Sequence, residues 1–346
     1  MDTQHIRDYW PTDEWQTASP QDMQIDPALL SHMQEYIEAE LPGLHSLLIV
    51  RHGYLAFEAY YQGFHQNSYH NIASATKSIL SLLIGIALGE GKLTSVDQPM
   101  LAFFPEWSQW ETDLRKQAVT LCHLLSLTGG FSPEFPHEYW LNPVQLAVKR
   151  PMAHQPGEVF RYDSQGVDIL AGILTRVTGM SAAAYAHTAL FAEVGIWREE
   201  NARFTWKNDP QGAHTWHGDA LWDEQNGYLW KVDPQDYSTG AFGAHLTARE
   251  MAKIGYLCLN QGVWNGKRLL PEGLLPDARR RRCSSVQRAS SLSSRSFLEE
   301  RLSAQGTRTW FEEYASSLWF CWSGWRESTS IKISSSSFFE NFLSQQ

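Results

Sequence analysis

Ser74 and Lys77 stand three residues apart in "HNIASATKSILSLLIGIALGEGKL", residues 70–93. On a helix, positions i and i+3 share a face. A serine hydroxyl is a poor nucleophile until a neighbouring base takes its proton. Lysine can be that base where burial lowers its pKa, and the apolar "ILSLLIGIAL" behind Lys77 offers burial. A serine in the first helical turn also sits where free N–H groups and the positive end of the helix dipole favour developing negative charge. The plain alternative is the polar first turn of a core helix, with Lys77 in solvent. S-x-x-K occurs once in the chain, where a strand gives way to a helix.

Such a pair needs a third group to carry the proton to the leaving group, and a tyrosine beside a lysine suits. The pattern Y-x-[S/N] occurs at Tyr69, Tyr162 and Tyr314. Tyr69 is too near Ser74 in sequence to face it from a separate element. Tyr314 lies in a segment of unusual composition. Tyr162 follows the Pro156-Gly157 turn and precedes an apolar helix, so a loop can present it across a cleft. Its plain alternative is a half-buried tyrosine.

The elements that would position these residues follow from periodicity. Leu30, Met33, Tyr36 and Ile37 recur at helical spacing over residues 27–41. "SLLIVRHGYLAFEAYYQG" is two β-rich runs around a glycine turn, a hairpin. Residues 74–90 predict a helix that Gly85 and Gly89 weaken and "GEGKL" ends. Residues 119–130 predict a helix with a glycine stop, and 167–180 a second apolar helix. Residues 247–262 predict another, with Thr247 as N-cap and Glu250 completing a capping box. A helix followed by a hairpin points to α+β, an antiparallel sheet with helices on it.

These segments, in this order, resemble the serine β-lactamase-like hydrolases: class C β-lactamases, penicillin-binding DD-peptidases, related esterases and 6-aminohexanoate-oligomer hydrolases. "NIASATKSILSLLIGIALGEGKLTSVDQPMLAFFPEW" resembles their nucleophile helix, and "VTLCHLLSLTGG" their helix-and-glycine element. "PGEVFRYDSQGVDILAGILTRVTGMS" resembles their tyrosine motif, and "GAFGAHLTAREMAKIGYLCLNQGVWNGKRLLPEG" the segment leading to their final strands. The resemblance covers about residues 40–273. It implies an α/β subdomain on a central antiparallel sheet, an all-helical subdomain, and a site between them. It implies that Ser74 is acylated, that Lys77 or Tyr162 takes its proton, and that Tyr162 returns a proton to the leaving group. The Ser74 N–H is then half of an oxyanion hole. Ser164, where many members have asparagine, is a secondary substrate-binding position and leans with "SATKS" toward the aminohexanoate-hydrolase and esterase branch. No metal or cofactor is implied.

The family's third motif, K-[S/T]-G or a variant on a strand lining the cleft, is not plain after residue 273. Trp322-Ser323-Gly324 matches a tryptophan variant by letters alone. From Leu274 onward there are eighteen serines, no histidine and a single lysine, Lys332, with clustered arginines at 279–282. The tail keeps Trp310, Trp319, Trp322 and Trp325, unlike a disordered segment. The reading is a surface extension at 1–26, a catalytic domain at 27–273, and an atypical tail at 274–346 from a frameshift. Without the final strands the hairpin at 45–63 lacks sheet partners, which predicts a chain that folds poorly or is inactive.

At 346 residues the chain can bury a sizeable core, and 43% apolar content marks a globular protein. A net charge of −10 argues against nucleic acid or an anionic membrane as partner. With no basic, apolar leader at its start the chain reads as cytoplasmic, although a trimmed precursor would look the same. No cysteines form C-x-x-C. His214, His217 and Asp219 in "HTWHGD" could suggest a metal, but Trp216 and Gly218 do not favour the helix that would join the rings. "TGMSAA" lacks the last glycine of a G-x-S-x-G elbow. His123 reads as a hydrogen-bonded core histidine, and Arg279–Arg282 as a solvated run. The expected partner is a small amide or ester, and the oligomeric state is open. The alternative function is an inactive or truncated family member that binds a ligand or does nothing.

Overall fold

The computed structural model describes residues 9–134, 142–196, 203–205, 230–232, 235 and 237–274. His214, His217, Asp219, the arginine run and Trp322-Ser323-Gly324 lie outside the described residues.

The chain opens with α1 (Pro27–Glu40), capped by the Asp26 carboxylate on the Ala28 N–H, with Pro27 in its first turn. Leu30, Met33 and Ile37 face inward and pack on Leu47, Ile49 and Ala56. Those residues belong to a hairpin, β1 (Ser46–Arg51) and β2 (Tyr54–Tyr60), antiparallel with an irregularity between Ile49 and Val50. Its turn places His52 and Gly53 at positive φ. The opposite face of the hairpin, with Leu48 and Leu55, joins the main core. Alternating burial thus sandwiches one hairpin between two apolar layers.

The polar N-terminal extension is anchored more firmly than its composition suggests. Trp15 is buried in the main core and its Nε1 donates to Arg249 O at 3.1 Å. Gln16–Ala18 runs beside β2, exchanging backbone hydrogen bonds with Leu55 at 2.9 and 3.2 Å. Lys253, itself buried, donates to Thr12 O and Gly195 O, each at 2.8 Å.

Strand β3 (Tyr69–Asn71) leads into α2 (Thr76–Gly89), the central helix, with Leu80, Leu83, Ile84 and Ala87 fully enclosed. Burying a leucine side chain contributes roughly 1.5–3 kcal/mol. Gly85 and Gly89 have a packing reason: a Cβ at either would lie 2.3 Å from Leu274 or 2.7 Å from Pro271. Short helices α3 (Pro105–Ser108), α4 (Leu114–Gln117), α5 (Leu121–Leu125) and α6 (Pro143–Lys149) follow. Helix α7 (Ser164–Thr178) packs against α2, α5 and α6 and ends at Gly179, φ 71°. After α8 (Ala182–Ala186) come β4 (Arg203–Thr205) and β5 (Trp230–Val232), then β6 (His245–Thr247) and α9 (Ala248–Leu259). β7 (Val263–Trp264) and β8 (Lys267–Arg268) form a last small hairpin. β3 pairs antiparallel with β6, and β4 parallel with β5.

The architecture is α+β. The expected helix over 119–130 is shorter, Leu121–Leu125. Leu127 at φ 57° breaks it before the glycines are reached. His123 is half-buried rather than fully in the core, and its ring accepts the Thr120 N–H at 3.2 Å in a capping box. Among the described residues the central sheet is the β1–β2 pair, extended only by the bridge at Thr17. No single described helix is long and apolar enough to cross a membrane.

Candidate active site

Ser74 does not occupy the first turn of α2. It sits in a 3-10 turn, Ala73–Ala75, that runs straight into the helix at Thr76. The turn starts with Ala73 at φ 43°, left-handed for a residue with a Cβ, which costs about 1–3 kcal/mol and is held only by its surroundings. Those surroundings are visible. Asn71 Oδ1 accepts the Ala73 N–H at 3.0 Å. Ile72 N–H donates to Ala244 O at 3.0 Å, and Ala244 N–H donates to Thr76 Oγ1 at 3.2 Å. The β3–β6 ladder continues this clamp, with Asn71 opposite His245.

Tyr162 arrives on the loop before α7. Arg161 is bonded on one side, its N–H to Leu127 O at 3.0 Å and its Nη2 to Phe131 O at 2.6 Å. On the other side Asp163 receives both arms of Arg150, at 2.9 and 2.8 Å. Arg150 is 4% exposed and lies over the Phe131 ring at 4.7 Å. The Asp163 side chain makes no cap bond to α7, although Asp163 holds the N-cap position, because the arginine takes it.

These elements bring the three residues together. Tyr162 Oη is hydrogen-bonded to Ser74 Oγ at 2.6 Å, and Lys77 Nζ donates to Ser74 Oγ at 3.1 Å. Lys77 Nζ also donates to Ala241 O at 2.8 Å and lies 4.8 Å from the centroid of the Tyr162 ring. Tyr162 is 55% exposed, so the hydroxyl cluster opens to solvent. Ser164 is the first residue of α7, half-buried, two positions beyond Tyr162. Such a cluster can exchange a proton among three groups around one oxygen, which is what an acyl-transfer nucleophile requires.

On β3, four residues before Ser74, His70 is buried and stacks on Phe64, whose other neighbour is His45. Burial, and then the His45 ring 3.4 Å away, push the His70 imidazole down to about 4.

A sequence model of the β-lactamase family matches residues 29–331, most of the chain and beyond the point where its composition changes. The chain belongs to the β-lactamase family. Among solved structures, a candidate 6-aminohexanoate-dimer hydrolase from Bacillus anthracis is 18% identical, with a TM-score of 0.53 over 71% of this chain and 61% of that one. A candidate β-lactamase from Bacteroides dorei is 17% identical, TM-score 0.54, over 72% and 67%. FmtA from Staphylococcus aureus is also 17% identical, TM-score 0.54, over 76% and 72%. At these identities the likeness is one of fold. An uncharacterized protein of Alkalihalophilus pseudofirmus is 23% identical over 210 residues, 60% of this chain. The chain spans about half the length of that relative, 53%.

Sequence reasoning missed four contributors. Ala241 acts through a backbone carbonyl, and no side-chain motif marks it. Thr76 fills a variable position of the S-x-x-K motif, which carries no signal for its bond to Ala244. Arg150 lies outside every motif. Asp168 had a readable signal, a lone charge inside the apolar run "VDILAGIL". Its Oδ1 accepts the Gly240 N–H at 2.7 Å and the Ala241 N–H at 3.1 Å.

Proposed function

We propose that the chain is a serine hydrolase that forms an acyl-enzyme on Ser74 from a small amide or ester. The observation that carries this reading is the position of Ser74 Oγ, within hydrogen-bond reach of both Lys77 Nζ and Tyr162 Oη. The Ser74 proton passes to Lys77 or Tyr162, and Oγ bonds to the carbonyl carbon. The bond from that carbon to the leaving nitrogen or oxygen breaks, and the leaving atom takes a proton from Tyr162, which faces solvent. Water then repeats the sequence on the ester, freeing Ser74 and the acid product. Lys77 and Tyr162 touch the same oxygen, so either is placed to take the first proton. The Ser74 N–H in its 3-10 turn is assigned to the oxyanion, and Ser164 to the rim of the substrate site.

The "SATKS" motif, Ser164, and the likeness to a candidate 6-aminohexanoate-dimer hydrolase favour short linear amides and esters as substrates. The inactive alternative is disfavoured because the described residues alone assemble all three groups around one oxygen. The test is turnover of p-nitrophenyl acetate, nitrocefin and a linear aminohexanoate amide by the full chain. Activity on at least one, lost in Ser74→Ala, is expected. Folded protein inert toward all three would defeat the reading.

A further inference from the structure

We propose that Asp168 is a positioning residue for Lys77, an inference that rests on the role given to Lys77 above. Lysine carries its ammonium on a flexible four-carbon stem, so its direction must be imposed. Here it is imposed by two acceptors, Ser74 Oγ and Ala241 O. The second is a backbone atom of a loop, and a loop carbonyl is only as well placed as the loop. Asp168 places it. Its carboxylate is 3% exposed, and Oδ1 receives two successive N–H groups, those of Gly240 and Ala241. Bonds of a carboxylate to backbone N–H groups are charge-assisted and short, and burial leaves them little competition from water. They fix the chain on the amino side of Ala241 and so aim its carbonyl at Lys77.

Two further features fit this role. Gly240 approaches α7 so closely that a Cβ would lie 2.3 Å from Val167 O, so only glycine lets the loop reach Asp168. The loop is also held elsewhere, by Trp230 Nε1 on Thr239 O at 2.7 Å and by Ala244 on Thr76. Removing Asp168 therefore frees two successive peptides rather than the whole segment. Helix α7 then governs both partners of Ser74: Tyr162, carried at its start, and Lys77, held one turn in through Asp168 and Ala241. A shift of α7 moves base and proton shuttle together.

The test compares wild type, Asp168→Asn and Asp168→Ala, with Asp168→Ser replacing alanine if that protein does not fold. Each is crystallised, and the rate of fluorophosphonate labelling at Ser74 is measured per folded molecule. Asparagine keeps an oxygen for both N–H groups. It is expected to keep the Lys77–Ala241 contact and most of the labelling rate. Alanine or serine is expected to lose the contact and to label roughly tenfold to a hundredfold more slowly, as misplacement near a reacting atom does. In a Lys77→Met background the Asp168 change should have no further effect. The inference is overturned if alanine or serine keeps the contact and the rate, or if asparagine is as slow as alanine. Absence of wild-type labelling would sink the acyl-enzyme reading instead, and the crystal structures would still decide whether Asp168 positions Lys77.

Discussion

Replacing Arg150 by methionine should destabilise the protein sharply and loosen Tyr162. The Arg150 and Asp163 side chains are 3% and 11% exposed, so solvent screens their charges little. Arg150 donates two parallel hydrogen bonds to Asp163 and two more, at 3.3 Å, to Ala147 O and Ser132 O. Removing one partner of a buried pair leaves the other charge uncompensated, at a cost of about 3–5 kcal/mol. Arg150→Lys keeps the charge but not the fork, and should lose roughly 1–2 kcal/mol. The double variant Arg150→Met, Asp163→Leu removes both charges and should recover most of the loss. Urea unfolding followed by tryptophan fluorescence measures all three. Asp163 adjoins Tyr162, so single variants should also label more slowly at Ser74 while still folded. A loss below about 1 kcal/mol in Arg150→Met, with no recovery in the double variant, would refute the view that this ion pair holds the tyrosine loop.

Tyr162→Phe removes one hydroxyl from a half-exposed side chain, so it should leave stability unchanged and slow acylation by roughly 10²–10⁴-fold. Stopped-flow ester cleavage checks this. Gly240→Ala should cost about 1–3 kcal/mol and weaken labelling, since its Cβ meets backbone rather than a movable side chain. Equal thermal stability to wild type would contradict the packing described. His70 is held neutral in the fold, with its pKa at about 4 against 6.5 when exposed. The unfolded chain therefore binds the extra proton first. The stability from a neutral His70 is complete above pH 6.5 and is lost as pH falls through that window to about 4, roughly 3 kcal/mol in all. Over that window His70→Leu should lose less stability than wild type, and parallel urea-midpoint curves would exclude the effect.

The residues legible in the sequence are those whose role is local. Ser74 and Lys77 meet at i and i+3, as their spacing suggests, although Ser74 lies in the 3-10 turn ahead of α2. The Thr247–Glu250 capping box forms as read, with both reciprocal hydrogen bonds. Helices α1 and α7 follow from their apolar periodicity. Tyr162 could be chosen over Tyr69 by chain separation, and the structure brings its hydroxyl to Ser74. What stayed hidden depends on distant partners. The 3-10 turn at Ser74 exists because Ala244, 170 positions away in the chain, clamps Ile72 and Thr76. Gly85 and Gly89 looked like weak points and are crossing points for Pro271 and Leu274. Arg150 and Asp163 are ordinary surface residue types that burial turns into a lock. The family's third motif, not plain in the sequence after residue 273, would fall almost wholly outside the described residues.

The most direct measurement is intact-protein and peptide mass spectrometry of the full chain after treatment with a fluorophosphonate. A single covalent adduct on Ser74, absent in Ser74→Ala and slowed in both Lys77→Met and Tyr162→Phe, is the predicted result. A folded protein that carries no adduct at Ser74, or labels equally well without Lys77 and Tyr162, would contradict the assignment of Ser74 as an activated nucleophile.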